Sequence, residues 1–144
     1  LIREIRPDIV CAPTLTENQH PDHLAVGKAA RDASRLARYG GLQHLLGLSP
    51  HKISSLWFYS ITGHEAASLT AATLIDVSNF VDAWKQLMCC HKSQVSNRNY
   101  VDLQLARAQQ LGAMAHCQYA AALWPNDPVV VSSLGELKQT ARAF

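Results

Sequence analysis

The sequence predicts an α/β fold built on an open, mostly parallel sheet flanked by helices. Three observations carry that reading. Pro7-Asp8-Ile9-Val10-Cys11-Ala12-Pro13 is a short apolar, β-branched run between prolines, which suits a buried strand of a parallel sheet better than a half-exposed strand with alternation. A segment of small apolar residues at helical spacing follows it, and a second strand-like run then covers Ile53 to Ile61. Later segments with a 3.6-residue period supply further helices.

In order along the chain, Leu1-Ile2-Arg3-Glu4-Ile5 lacks an initiator Met and reads as the tail of a helix already under way. The expectation is a chain that begins mid-protein. A loop from Thr14 to Gln19 leads from the first strand to His20. From Pro21 to about Arg38, Ala25, Ala29, Ala33, Leu36 and Ala37 describe a helix packed closely on a neighbour, and Pro21 sits where a first-turn proline is tolerated. Tyr39-Gly40-Gly41 ends that helix. After the second strand a loop runs from Thr62 to about Ala72, and Leu74 to Val77 forms a short strand. Ser78 or Asn79 caps a helix whose apolar face is Val77, Phe80, Val81, Trp84, Leu87 and Met88. A further helix carries Val101, Leu105, Ala108 and Leu111 on one face, with Gly112 near its end. Cys117 to Leu123 is the final strand, Pro125 to Pro128 a turn, and the remainder an apolar run with a helical tail.

Composition narrows the partners. The chain is 48% hydrophobic and 17% charged, so its 144 residues can bury a core. The formal charge is +2 with scattered Lys and Arg, which leaves no footprint for nucleic acid or an anionic membrane. No apolar run approaches the roughly 18 residues of a membrane span and no signal peptide opens the chain, so a cytoplasmic location is expected. The four cysteines show no Cys-x-x-Cys spacing and read as buried free thiols. A small-molecule partner fits best.

The segment that carries chemistry is His20-Pro21-Asp22-His23, which follows a strand and opens a helix. Open α/β sheets place their ligands there, at the carboxyl ends of strands. Two histidines three positions apart can face one pocket, one binding metal and the other moving a proton. Asp22 can orient an imidazole by accepting from its ring N–H. The plainer alternative is a surface pair whose aspartate answers the helix dipole. Two imidazoles do not complete a zinc site, and the nearest further donors, His64 and Glu65, form a weak candidate.

Pro7-Asp8-Ile9-Val10 through Glu17-Asn18-Gln19-His20-Pro21-Asp22-His23 resembles the strand, loop and His-Pro-Asp-His segment of the PIG-L/LmbE-like zinc-dependent N-acetylglucosaminyl deacetylases. Leu48-Ser49-Pro50-His51-Lys52, the strand with Trp57-Phe58-Tyr59, Ile75-Asp76-Val77-Ser78, the Lys85 helix ending at Ser93-Gln94, and Tyr100-Val101 with Ala106-Arg107 are similar to family segments in the same order. The bacterial subgroup that includes bacillithiol-type deacetylases is the most similar. One departure is Ala121, where a family segment usually carries an acidic residue.

The resemblance implies a Rossmann-like domain of which residues 1–144 are the C-terminal part, without its N-terminal half. It implies Zn2+ as cofactor with His23 as a metal ligand, and His20 with Asp22 and Tyr100 as catalytic residues. Tyr100 would stabilise the oxyanion, and Lys52 would bind substrate. The remaining zinc ligands and the general-base aspartate belong to an Ala-His-Pro-Asp-Asp-like motif that these residues do not contain. The implied reaction is removal of acetyl from an N-acetylglucosaminyl substrate. The missing N-terminal half and possible further copies of the chain are the expected partners. The alternative from another class is a non-catalytic relative that binds a sugar or a protein. Trp57 and Trp84 read as core, and Trp124 either as core or as a sugar-stacking face.

Overall fold

The computed structural model describes all residues except 17–19, 62–68, 97, 138 and 142–144. A short helix α1 (Ile2–Ile5) leads into β1 (Ile9–Pro13), the long helix α2 (Pro21–Ala37) and β2 (Ser55–Tyr59). Then come β3 (Thr73–Asp76), α3 (Val81–Cys89), α4 (Lys92–Val95), α5 (Tyr100–Ala115) and β4 (Ala120–Pro125). The described strands form one sheet in the order β1-β2-β4-β3. The fold is therefore α/β as expected. β1 and β2 are parallel, and β2 and β4 are antiparallel, an orientation that hydrophobic patterning does not encode.

Two compact units divide the chain: Leu1–Ala72 with Leu123–Val129, and Thr73–Ala122 with Val130–Phe144. In the first, β1 and β2 pair with Val10 opposite Leu56 and Ala12 opposite Phe58. Because successive side chains alternate across a strand, these four share one face, and Ala12, Leu56 and Phe58 form the buried core with Val10, Leu15, Ala30, Ile53 and Trp124 packed on it. Trp124 thus belongs to the core. The alternate positions differ from expectation: Ile9 is 60% exposed and Cys11 is exposed. β1 is a half-exposed strand, and its first apolar residue faces outward.

α2 also presents a different face from the one its alanines suggest. His23, Gly27, Ala30, Ser34 and Ala37, spaced four and three apart, are covered, as are Leu24 and Arg31; of the expected face only Ala37 is buried, while Ala25, Ala29, Ala33 and Leu36 are exposed. Close approach decided the orientation. A Cβ on Gly27 would stand 2.4 Å from the carbonyl oxygen of Pro13 and 3.1 Å from that of Thr14, so only a residue without a side chain lets the helix cross the end of β1. Ser34 satisfies its hydroxyl by donating to Ala30 O at 2.7 Å.

The other end of α2 is closed by Arg3, which is only 5% exposed. Its Nε donates to Ala37 O at 3.0 Å, and Nη1 donates to Leu45 O and Leu48 O at 3.1 and 2.9 Å. Nη2 reaches Leu36 O and Tyr39 O. The final carbonyls of a helix lack intrahelical partners, and one guanidinium supplies them along with the turn after it. The amide of His51 donates to Ala37 O at 2.9 Å, and its Nε2 lies 2.7 Å from Pro7 O.

In the second unit α5 covers Val101, Leu105, Ala108, Leu111 and Gly112 as its period predicts. Gly112 is again a close approach, with a Cβ at 2.6 Å from Gln118 O, and His116 closes the helix in the left-handed region. On α3, Val81 and Met88 are buried and Trp84 is half-buried, whereas Phe80 and Leu87 are 67% and 62% exposed. Asp76 and Ser78 do not cap α3. The carboxylate of Asp76 accepts from the amide and the hydroxyl of Ser78 at 2.9 and 2.6 Å, which holds it below the usual carboxylate range. Ser78 Oγ in turn accepts from the amide of Tyr119 at 3.0 Å, tying the exit of β3 to the entry of β4. Cys11, Cys89 and Cys90 are free and exposed and Cys117 is half-buried, so the expectation of buried thiols fails for three of the four. Beyond β4 the described residues include one 3-10 turn, Leu134–Glu136, and 138 and 142–144 of the expected helical tail lie outside the described residues.

The two kinds of glycine give a direct stability test. Gly27→Ala forces a methyl group onto a backbone oxygen and should destabilise the protein by about 1–3 kcal/mol, whereas Gly41→Ala meets nothing within 4 Å and should be neutral or stabilising by about 0.4–1 kcal/mol through the unfolded chain. Urea denaturation of both variants measures this, and equal effects would contradict the packing of α2 on β1.

Candidate functional site

The parallel pair β1 and β2 defines a carboxyl end, where the amide of Thr14 donates to Tyr59 O at 3.0 Å. Buried Thr14 turns the chain there, its Oγ1 accepting from the amide of Thr16 at 3.2 Å. After residues 17–19, which lie outside the description, the chain reaches His20 in extended conformation as the N-cap of α2. Pro21 at the first helical position and Asp22 in the first turn start the helix as their chemistry favours.

His20 and His23 lie side by side, ring centroids 5.8 Å apart with planes inclined by 44°. His20 is largely exposed and His23 half-buried. The amide of Asp22 donates to Nδ1 of His20 at 3.3 Å, and Oδ2 of Asp22 stands 3.5 Å from the same nitrogen. Nδ1 cannot accept the amide proton and donate to the carboxylate at once. With Nδ1 unprotonated, the ring caps the helix. With Nδ1 protonated, the same nitrogen has the Asp22 carboxylate 3.5 Å away. The contact from the amide of Asp22 is the helix-capping one.

Zinc takes three or four nitrogen, oxygen or sulfur donors. Among the described residues no group of three His, Cys, Asp or Glu side chains is placed to hold a metal ion. The two imidazoles are donors of a type that zinc takes. His64 and Glu65 lie outside the described residues.

Lys52 is elsewhere. It precedes β2, next to the contact of His51 with the last turn of α2, while the histidines open that helix. Seventeen residues of helix separate the two ends by about 25 Å, beyond the reach of a lysine side chain. Within one chain Lys52 therefore does not meet His20 and His23, although the sequence places it in a segment with the same resemblance. Tyr100 opens α5 in the second unit and is half-buried. Sequence reading missed Arg3 and His51, whose partners are main-chain carbonyls without sequence signature. It also missed Arg31, Arg35 and Arg38, whose spacing of four and three residues was a visible sign of one cationic helix face.

No protein-family model matches the chain. Among solved structures, a conserved protein of Thermus thermophilus superposes with a TM-score of 0.76 at 27% identity, over 90% of this chain and 56% of that one. The 4-carboxy-2-hydroxymuconate hydratase of Pseudomonas putida gives 0.71 at 18% identity, covering 92% and 57%. The N,N'-diacetylchitobiose deacetylase of Pyrococcus horikoshii gives 0.69 at 19% identity, covering 86% and 47%. The chain spans about half the length of these structures and has their fold, which accommodates both a deacetylase and a hydratase.

Proposed function

We propose that this chain is the C-terminal part of a zinc-dependent deacetylase acting on an N-acetylglucosaminyl substrate. The observation that carries the reading is the His20–His23 pair at the start of α2, 5.8 Å apart at the carboxyl end of a parallel strand pair. Its fold is shared with a deacetylase of an N-acetylated sugar, and the tetrapeptide resembles the motif of such enzymes. Fold alone does not choose the reaction, since the hydratase has it too.

In this reading His23 is one zinc ligand, and the remaining ligands and the general base come from the N-terminal half of the same domain. Zinc in such a site polarises the acetamide carbonyl and supplies a nucleophilic water at neutral pH. His20 gives the proton from Nε2 to the leaving amine while Asp22 holds Nδ1–H, an assignment consistent with the 3.5 Å approach of Oδ2. Tyr100 is assigned the hydroxyl that donates to the oxyanion, on the resemblance alone. Lys52 has no assigned contact with this substrate.

A non-catalytic relative that binds a sugar or a protein is the second reading, favoured by the absence of a three-donor group among the described residues. Zinc content separates the two. In the protein that includes the upstream half, His23→Ala should lose bound zinc by metal analysis and lose acetate release with it, and retention of full zinc would overturn the assignment. His20→Ala and Asp22→Asn should lower turnover while keeping zinc, with effects that do not add in a double-mutant cycle.

The 144 residues alone should release no acetate from an N-acetylglucosaminyl substrate, even with added zinc, and the upstream half should restore release. Robust activity of the segment alone would show that another donor set is used. Tyr100→Phe should lower kcat by about 10²-fold with little change in KM, because a transition-state hydrogen bond is lost. An unchanged kcat would remove Tyr100 from the mechanism.

A further inference from the structure

We propose that a second site, at the amino end of β2 and remote from the histidines, binds a phosphate group. A groove of about 170 Å³ opens there within the first unit. Arg31 and Arg35 line it from α2, Arg38 from the residue that follows the helix, Lys52 from the approach to β2, and Ser55 and Asn126 from the two strands' ends. One carboxylate, Asp127, also reaches it. Four cations against one anion concentrate more positive charge in this groove than the whole chain carries in net, +2.

Arginines in the last turns of a helix ordinarily answer its carbonyl end. Here that end is already taken, because Arg3 donates to Leu36 O, Ala37 O and Tyr39 O. The groove cations therefore have no such duty. Arg38 donates to the hydroxyl of Tyr39 at 2.9 Å, and Asp127 accepts from Nδ2 of Asn126 at 2.9 Å. The nearest acid to Arg31 is Asp32, at 3.6 Å from Nε, a nitrogen shut from solvent without a hydrogen-bond partner. Among the described residues neither Arg35 nor Lys52 has an acidic partner within 4 Å. Like charges at helical neighbours repel, and an anion between them would relieve that repulsion.

The chemistry selects the anion. Guanidinium groups match tetrahedral oxyanions with paired donors, and an ammonium adds a point charge. Ser55 and Asn126 add polar lining where the two strands end. A dianion meets several cations here, and a phosphomonoester or free phosphate has that charge near neutral pH. Positive charge also shows in Tyr39, whose hydroxyl is pulled below its ordinary pKa by the hydrogen bond and charge of Arg38, with Arg35 adding. The site is independent of the deacetylase reading, since it shares no residue with the histidine pair.

The test titrates inorganic phosphate and, separately, phenyl phosphate into the complete protein, followed by calorimetry and by amide shifts of Ser54, Ser55 and Asn126. Saturable binding that weakens by about tenfold or more in Arg35→Gln and again in Lys52→Gln, and that persists in His23→Ala, is the expected result. Tighter binding of phenyl phosphate than of phosphate identifies a phosphomonoester as the ligand, and the reverse identifies free phosphate. Arg35 and Lys52 are exposed, so both variants should keep the wild-type melting temperature. Binding lost in His23→Ala but kept in the two groove variants would move the anion to the metal site and overturn the proposal. Absence of saturable binding, or equal response to chloride at the same ionic strength, would overturn it as well.

Discussion

The contact on which the first unit depends is the passage of α2 across the end of β1 with nothing between them but the hydrogen of Gly27. At 2.4 Å from Pro13 O, a Cβ has no room, so this position fixes both the height of the helix above the strand and its rotation. Rotation then decides everything that the helix carries. It turns Ala30 and Ser34 toward the sheet, puts His23 on the covered side and His20 at the rim, and leaves Ala25, Ala29 and Ala33 outside. A close-packed interior transmits such a constraint because it has no slack to absorb it.

Arg3 fixes the opposite end by a different physics. A buried charge is costly unless hydrogen bonds replace its hydration, and five carbonyl oxygens from residues 36 to 48 do so. The same bonds relieve carbonyls that the helix leaves orphaned, so guanidinium and backbone each remove the other's desolvation cost. Held at both ends, α2 is a rigid strut whose first turn presents the two imidazoles. Sites on rigid elements keep their geometry better than sites on loops.

Much of this was legible in the amino-acid sequence, and the failures have physical reasons. Strands β1 to β4 and helices α2, α3 and α5 announce themselves by apolar runs, periodicity and punctuation. His20-Pro21-Asp22-His23 is recognisable as a helix start that carries chemistry. The covered face of α2 was not legible, because hydropathy ranks alanine above glycine and serine, while the packing here selects for absence of volume. Nor was the outward face of β1, since Ile9 and Cys11 are as apolar as Val10 and Ala12 and only the strand's neighbours distinguish them. Lys52 shows the limit of proximity in sequence: a residue in a segment that resembles a functional one stands about 25 Å from the histidines once the strand direction is known.

The two ends of α2 also show why one fold can host unlike chemistries. Its N-terminus joins a strand's carboxyl end, where two imidazoles lie side by side. Its C-terminus joins a strand's amino end, where cations gather around a groove. Gly27 and Arg3 hold the body and the far end of the helix with backbone contacts, while His20 caps its start. Side chains at the far end are therefore free to vary without loss of the scaffold, and a fold in general can host unlike chemistries at its sites. The side chains on which we place this chain's proposed functions are His20, Asp22 and His23 at one end and Arg31, Arg35, Arg38 and Lys52 at the other.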